Sequence, residues 1–329
     1  MKITKPPYYD QFRCLAGNCP DSCCHEWEVA VDARSAAFYR SLPGDLGDRI
    51  RQKLKENDDG CYLEITDSRC PMWRADGLCE IQHQLGHDAL CQTCRDFPRL
   101  RHDYGDFVEL GLELSCPEAA RLILTAPEAP MITEDAPGGG NADYDRETMQ
   151  VLLATRETAL SILRRHDIPT ALSLLLLYGA QAQADVDAGE VTDFDENAAL
   201  SMLAGLTLPT PAPLTDFYAD LEILTKRWTD LLRHPHPQTH WPEEIRAMAR
   251  CQIHRYWLQA VSDWDLTPRV KMIVASCILV RYLGGDIIAT AQLYSKEIDN
   301  DGDNVDAILD AAYTSPALTD LNLLALLAQ

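Results

Sequence analysis

The sequence has no run of eighteen or more apolar residues, so no segment reads as a membrane-spanning helix. Its longest apolar stretches, ALSLLLLYGA and VKMIVASCILV, have the length of buried core helices. The opening MKITKPPYYDQF lacks an apolar h-region and a small-residue cleavage site. It does not read as an export signal, and the chain is expected in the cytoplasm. Positive charge is scarce: 29 Lys and Arg stand against 51 Asp and Glu, a net charge of −22. Such a field repels phosphate backbones and excludes nucleic acid as a partner, while it attracts basic or lysine-bearing protein surfaces. No internal repeat is present. With 329 residues, 46% of them apolar, the chain builds a core without covalent staples.

Cysteine is what the sequence has in excess. Ten of its 12 cysteines lie between Cys14 and Cys116. A reducing cytoplasm argues against a disulfide framework. FRCLAGNCPDSCCHEW holds Cys14-x4-Cys19-x3-Cys23-Cys24, and a second arm holds Cys70-x8-Cys79-x11-Cys91-x2-Cys94, followed by Cys116. Cys91 and Cys94 have the CxxC spacing at which one turn points two thiolates at a shared metal. Adjacent cysteines do not easily chelate one ion together. Cys23 and Cys24 are therefore expected to serve different metals, or one serves a cluster while the other packs. Only one CxxC knuckle is present, and Cys19, Cys70 and Cys116 each precede proline. Both features favour an iron–sulfur site over structural zinc. His25, His83, His87 and His102 lie among the cysteines and could complete a mixed zinc site, although each also reads as a surface or core histidine. Cys251 and Cys277, on helical patterns, read as small buried hydrophobes. Cys19-x3-Cys23 begins like the CxxxCxxC of radical enzymes, but Glu26 stands where the third cysteine belongs.

The expected fold is mainly α, in two parts. Residues 1–126 form an irregular cysteine-rich metal- or cluster-binding domain with short strands. Residues 127–141, rich in Pro and Gly, read as a linker. Residues 142–329 form an all-helical domain that supplies a substrate or oligomer surface. In the first part, Asp32 can cap a helix, and Leu46, Ile50 and Leu54 fall at i, i+4 and i+8 of a second. GCYLEI and DFVELGLEL alternate as strands. SCPEAARLILTA reads as a helix with Ser115 as its cap. In the second part, helices are expected over Asp145–His166, Pro169–Ala184, Leu214–Leu232, Pro242–Val261, Thr267–Leu283 and Asn304–Ala312. The acidic DVDAGEVTDFDEN and the proline-rich TLPTPAPL separate some of them. The apolar tail LTDLNLLALLAQ reads as a helix docked on the core; a homo-oligomer contact or membrane-surface association is the alternative. DNDGDNVDAILD places Asp299, Asp301, Asp303 and Asp310 at calcium-loop positions, but the turn glycine is displaced. It reads as a solvated turn capping the last helix.

Three ordered segments carry a resemblance: PYYDQFRCLAGNCPDSCCHEWEVAVD, SRCPMWRADGLCEIQHQLGHDALCQTCRDFPR and LSCPEAARLIL. Over residues 7 to about 125 the chain resembles the flagellin lysine N-methylase family. The resemblance implies an S-adenosylmethionine-dependent protein-lysine N-methyltransferase that acts on flagellin in the bacterial cytosol. It also implies a [4Fe–4S] cluster, with Cys14, Cys19, Cys23, Cys24, Cys70, Cys79, Cys91, Cys94 and Cys116 as candidate ligands. These exceed what one cluster takes, so they imply a second site or thiols that are not ligands. The glycine-rich strand-to-helix turn of a Rossmann methyltransferase is missing, since PGGGN lies in a proline-rich loop. The cofactor-binding residues therefore stay unassigned. Polar methyl transfer needs a neutral lysine amine, and hence a base or a desolvating site. Asp10, Asp32 and Asp96 flank the cysteine motifs as candidate catalytic groups, with Tyr8 and Tyr9 nearby. Asp32 also reads as a helix cap and Asp96 as a partner of Arg95 or Arg99. Trp27 and Tyr8 could line a lysine or sulfonium pocket. The alternative reading is a zinc- or iron–sulfur-binding protein without enzymatic activity, acting in metal handling, redox sensing or assembly.

Overall fold

A computed structural model describes every residue except Asp59. Strand β1 (Lys2–Lys5) is followed by tight turns that carry the first cysteine arm, and then by β2 (Val29–Val31). Asp32 leaves β2 in extended backbone and accepts from the Ser35 amide at 2.9 Å, which fixes the start of α1 (Ala33–Ser41). In α2 (Gly44–Lys53) the buried residues include Leu46 and Ile50. Leu54 does not continue that helix. It turns extended and opens β3 (Leu54–Asn57), because Leu63 of β4 (Gly60–Leu63) offers it a cross-strand partner. These strands form a sheet in the order β2-β4-β3. Val29, Val31 and Leu63 cover a small core with Tyr39, Ile50, Met72 and Ile81.

Helices α3 (Glu80–Leu85) and α4 (Gln92–Asp96) carry the second cysteine arm past that core. Strands β5 (Arg99–Asp103) and β6 (Phe107–Leu112) form an antiparallel hairpin. Then comes α5 (Pro117–Thr125), with Cys116 rather than Ser115 at its N-cap position. The Ser115 hydroxyl instead donates to Glu113. Within the expected linker lies a strand, β7 (Ile132–Asp135), antiparallel to β1. The second sheet therefore runs β5-β6-β1-β7. All four residues of β7 are exposed, so no apolar alternation marks it. Its partner is the chain's first strand, and the Lys5 ammonium reaches Glu134 at 3.2 Å across the pair.

Helices α6 (Arg146–Arg165) and α7 (Ile168–Ala188) form an adjacent pair, capped by Asp145 and Asp167. A further helix, α8 (Glu196–Gly205), rises from the expected acidic break, with Asp195 as its cap. The expected helix Leu214–Leu232 is two, α9 (Leu214–Ala219) and α10 (Lys226–Arg233). Side chains from afar hold the break open: Asn304 accepts from the Glu222 amide and Glu297 from the Leu224 amide. Helix α11 (Glu243–Tyr256) tightens into a 3-10 turn through Val261. Helix α12 (Thr267–Leu283) is buried almost all round, as befits the central element, and contacts α7, α11 and α14 (Gly302–Thr314). Between α12 and α14, α13 (Ile287–Tyr294) widens into a π-helical turn, Ser295–Asp299. Asp301 caps α14, and Asp299 is buried against the Tyr256 hydroxyl, so this part of the calcium-like pattern serves the helix start. The tail forms α15 (Asp320–Leu327), with Leu323, Leu324, Leu326 and Leu327 buried beside α7 and α12. Among the described residues, no helix is long and apolar enough to cross a membrane. One large core runs from Phe12 and the stretch 112–124 into these helices, so α5 packs with α11 and α13 rather than with the cysteine arms' small core.

Candidate functional site

The first cysteine arm is a succession of turns. Ala16 takes the left-handed conformation (φ 51°), and its amide lies 3.4 Å from Cys14 Sγ. The Cys19 thiol donates to the Asp21 carbonyl at 3.2 Å. The second arm folds back across the first. The Cys70 amide donates to the Cys24 carbonyl at 2.8 Å, and the Glu26 amide to the Ser68 carbonyl at 2.8 Å. His25 and Arg69 thereby pair as an antiparallel bridge. Gly17 marks a close approach: a Cβ there would sit 2.9 Å from the Asp76 carbonyl oxygen and push the arms apart. Asp32 accepts from the Gln92 amide with its second oxygen, and the Thr93 hydroxyl donates to the Ala30 carbonyl, both at 2.9 Å. These bonds tie the Cys91–Cys94 turn to β2.

All the cysteines are free thiols, and the candidate ligands fall into two neighbourhoods. Cys23 is pushed up by its hydrogen bond to Cys24, by burial, and by the nearby charges of Cys24, Cys14 and Cys116. Burial pushes Cys116 up to about 11, with Cys19 and Cys14 adding to it. Cys14 and Cys116 therefore lie within electrostatic reach of both Cys19 and Cys23. Burial likewise pushes Cys70 up to about 12, with Cys24, Cys79 and Cys91 as its thiol neighbours. The hydrogen bond from Cys94 raises that thiol and lowers Cys91. Cys23 and Cys24 hydrogen-bond to each other, and both lie within electrostatic reach of Cys94, so Cys23 adjoins both neighbourhoods. Among the described residues, no three or more His, Cys, Asp or Glu side chains converge closely enough to hold an ion. Cys61 stands apart and accepts from Arg40 at 3.3 Å. Cys277 is buried within α12, and Cys251 is half-buried on α11.

The histidines divide. His83 and His87 are exposed. His25 packs edge-on to Trp73 at 3.9 Å, and burial lowers its pKa. His102, on β5, leaves Nε2 buried without a partner and lines a cavity that none of the nine candidate ligand thiols lines.

A group that the sequence reading missed holds the first arm in place. Lys296, only 2% exposed, lies in the π-helical turn. Its ammonium is 2.7 Å from Asp21 and 2.6 Å from Glu26, and 5.1 Å from the centre of the Trp27 ring. The cation–π contact expected of Trp27 is therefore made with a residue of the chain itself. One turn earlier, Gln292 donates to Asp21 and to the Ser115 carbonyl, both at 2.8 Å. Ser115 precedes Cys116, so two neighbouring side chains of the C-terminal part brace both ends of the first thiol neighbourhood. Glu26, at left-handed φ 78°, is a salt-bridge partner here. The available signal was a lone lysine in the apolar stretch AQLYSKEI.

Of the aspartate candidates, Asp10 pairs with Lys5 at 2.8 Å. Asp32 is held down to about 2 by hydrogen bonds from the Gln92 and Ser35 amides, which fits its capping role. Asp96 is exposed. Arg95 donates to the Leu90 carbonyl and Arg99 lies over the Phe12 ring, so neither forms the expected pair with Asp96. Burial pushes the Tyr8 and Tyr9 phenols up, which suits packing more than proton transfer.

Compared with known proteins, the chain is similar to a lysine-N-methylase of Salmonella typhimurium, with 32% identity over 141 residues. That stretch is 41% of this chain and 35% of the relative. A lysine-N-methylase of Salmonella choleraesuis matches equally. The flagellar biosynthetic protein FliU of Salmonella muenchen is 31% identical over 141 residues, which cover 83% of that protein. The chain belongs to the flagellin lysine methylase family. The match spans about a third of the length of the two lysine-N-methylases. No family profile matches the chain. No solved structure matches it either. Within this family, the braced cysteine arms are the natural candidate site.

Proposed function

We propose that this protein transfers methyl groups from S-adenosylmethionine to flagellin lysines and that its cysteine arms hold a [4Fe–4S] cluster. The observation that carries the reading is the pairing of family similarity with nine free thiols on the two arms and at the head of α5. The donor type is the one that iron–sulfur clusters take, cysteine thiolate. Cys14, Cys19, Cys23, Cys24, Cys70, Cys79, Cys91, Cys94 and Cys116 are the residues that would hold the cluster. A cluster bound there would supply a redox-active, Lewis-acidic iron site.

The rest of the reading concerns the chain's own residues. The acidic surface favours encounter with a lysine-bearing partner. The ε-amine attacks the sulfonium methyl only after it loses its proton, so a carboxylate or a desolvating wall must act first. The new C–N bond forms as the C–S bond breaks, and S-adenosylhomocysteine leaves. Asp10 and Asp32 have their carboxylates engaged, whereas Asp96 keeps a carboxylate without an ion pair or hydrogen bond among the described residues. Asp96→Asn is the variant to assay first.

The test is anaerobic incubation of cluster-loaded protein with flagellin and S-adenosylmethionine, read by mass spectrometry. Methyl additions on flagellin lysines are expected; no mass gain from intact loaded protein would overturn the reading. Because the match covers only part of the lysine-N-methylases, a second reading stands beside it. In that reading the cysteine arms bind zinc or a cluster without methyl transfer. Colourless protein with stoichiometric zinc would favour it.

A further inference from the structure

Trp264 stands in the turn between the 3-10 end of α11 and the start of α12, and its backbone is left-handed, at φ 58°. Among the described residues it is the only aromatic one with positive φ. A bulky L-residue is strained there, whereas glycine is not. Burial does not offset the strain. Trp264 is 60% exposed and shares with Tyr313 the highest exposure of any large hydrophobic side chain described. The turn is nonetheless firmly held. The Trp264 amide donates to the Ala260 carbonyl at 2.7 Å, and the Trp264 carbonyl accepts from Gln183 of α7 at 2.9 Å. Gln183 also accepts from the Leu266 and Thr267 amides at 2.7 and 3.1 Å. Arg269 of α12 grips Asp263 at 2.8 and 3.0 Å, and the Tyr313 hydroxyl of α14 donates to Asp265. Three helices thus hold one exposed ring in a strained pose. Strain of this kind persists only where the surroundings over-determine it, and it clusters at functional sites.

Charge supplies a second, independent observation. Asp263 and Asp265 flank the ring in sequence, and Asp187 accepts at 2.9 Å from the same Gln183 amide that holds Trp264. Asp306, Asp310 and Tyr313 are all exposed and fall at i, i+4 and i+7 of α14, on one face. The cations that these contacts bring near are both engaged. Arg269 is buried on Asp263, and Lys271 pairs with Asp320 at 3.3 Å. The patch therefore combines two exposed aromatic rings with a surplus of carboxylates.

The chain itself shows what such a setting holds. In its interior the Lys296 ammonium lies 5.1 Å from the centre of the Trp27 ring, between Asp21 and Glu26. Trp264, between Asp263 and Asp265, presents the same groups outward, and an ammonium over an indole beside carboxylates is favoured at both. An anionic lipid surface does not suit this patch, and a second copy of a chain of net charge −22 would bring more negative charge to it. We propose that the Trp264–Tyr313 patch is a docking surface for a lysine-bearing protein, with Trp264 as its anchor. The choice of flagellin as that protein rests on the methyltransferase reading; the choice of a basic partner does not. The surface is separate from the cysteine arms, since its contacts run to α7, α12 and α14.

The test is binding of the full chain to flagellin and to poly-L-lysine, measured by interferometry at low and high salt, beside thermal denaturation of each variant. Trp264→Gly removes the ring and the strain together. The melting temperature should hold or rise, while both affinities fall about thirtyfold, the loss of an aromatic hot spot. Tyr313→Ser, at an exposed position, should weaken both several-fold without loss of melting temperature. Asp265→Asn should weaken binding and flatten its salt dependence. Acetylation of the flagellin lysines should weaken binding as well. Wild-type affinity in both ring variants, or for acetylated flagellin, would overturn the proposal. So would Trp264-dependent self-association in sedimentation or Trp264-dependent binding to phosphatidylcholine vesicles, which would assign the patch to a second copy or to lipid. The two readings fail differently. Trp264-dependent binding to poly-L-lysine with no methylation of flagellin keeps the surface and sinks the activity. Methylation at wild-type KM by Trp264→Gly protein keeps the activity and sinks the surface.

Discussion

Lys296 and Asp21 meet at 2.7 Å although 275 residues separate them in the chain. The same ammonium holds Glu26 at 2.6 Å. One buried cation thus fixes two points of a turn-rich arm that has little regular structure of its own. Replacing Lys296 with Met should leave both carboxylates facing an apolar wall. The expected cost is about 3 kcal/mol, the low end for a broken buried pair, because Asp21 and Glu26 keep some solvent access. Thermal denaturation should show the loss, and metal analysis should show less retained iron. Unchanged melting and iron content would remove Lys296 from this role.

The adjacent pair Cys23 and Cys24 makes a separate prediction. Cys23→Ser and Cys24→Ser should each lower the iron of reconstituted protein, and neither should abolish it if two centres form. Complete loss of iron in either variant would indicate a single centre. Cys61→Ser and Cys277→Ser should retain wild-type iron, since one thiol lies beside Arg40 and the other inside α12.

Asp32 joins α1 to the CxxC turn through the Ser35 and Gln92 amides. Asp32→Ala should cost about 1 kcal/mol at neutral pH, as loss of a helix cap does. The folded-state pKa lies below the ordinary 3.8, at about 2, so the contribution is complete above the ordinary value. It is lost as pH falls from near 4 towards about 2. The stability gap between wild type and variant should close over that window in acid titrations; a constant gap would refute the cap's pH linkage.

Arg156 and Glu109 couple the second sheet to α6 inside the protein. Arg156→Met alone strands a buried carboxylate and should destabilise by roughly 3–5 kcal/mol. Arg156→Met with Glu109→Leu should recover much of that loss, because a buried pair replaced by apolar groups is often neutral. Denaturant unfolding of the single and double variants measures the difference. Equal losses would show that the pair is not energetically coupled.

Much of the helical part was legible because its determinants are local. Thr267–Leu283 was expected at its observed bounds, and Asp32 caps the helix it was expected to cap. The strands at Gly60–Leu63 and Phe107–Leu112 followed from alternation. The break between α9 and α10 was not legible, since the groups that satisfy its amides lie at Glu297 and Asn304. The strand Ile132–Asp135 was hidden for a similar reason: its stabilising partner is the N-terminal strand, not its own pattern.

By itself, the sequence determined the cysteine arms, the capped helices and the family resemblance, because spacing and local hydrogen bonding are written in adjacent residues. Only the tertiary structure decided which thiols are neighbours, joining Cys116 to Cys14, Cys19 and Cys23 from the head of a later helix. It also turned Glu26 into a partner of Lys296 and gathered arginines from three helices around one cavity. Those outcomes depend on burial and charge pairing between distant segments, which no local pattern encodes.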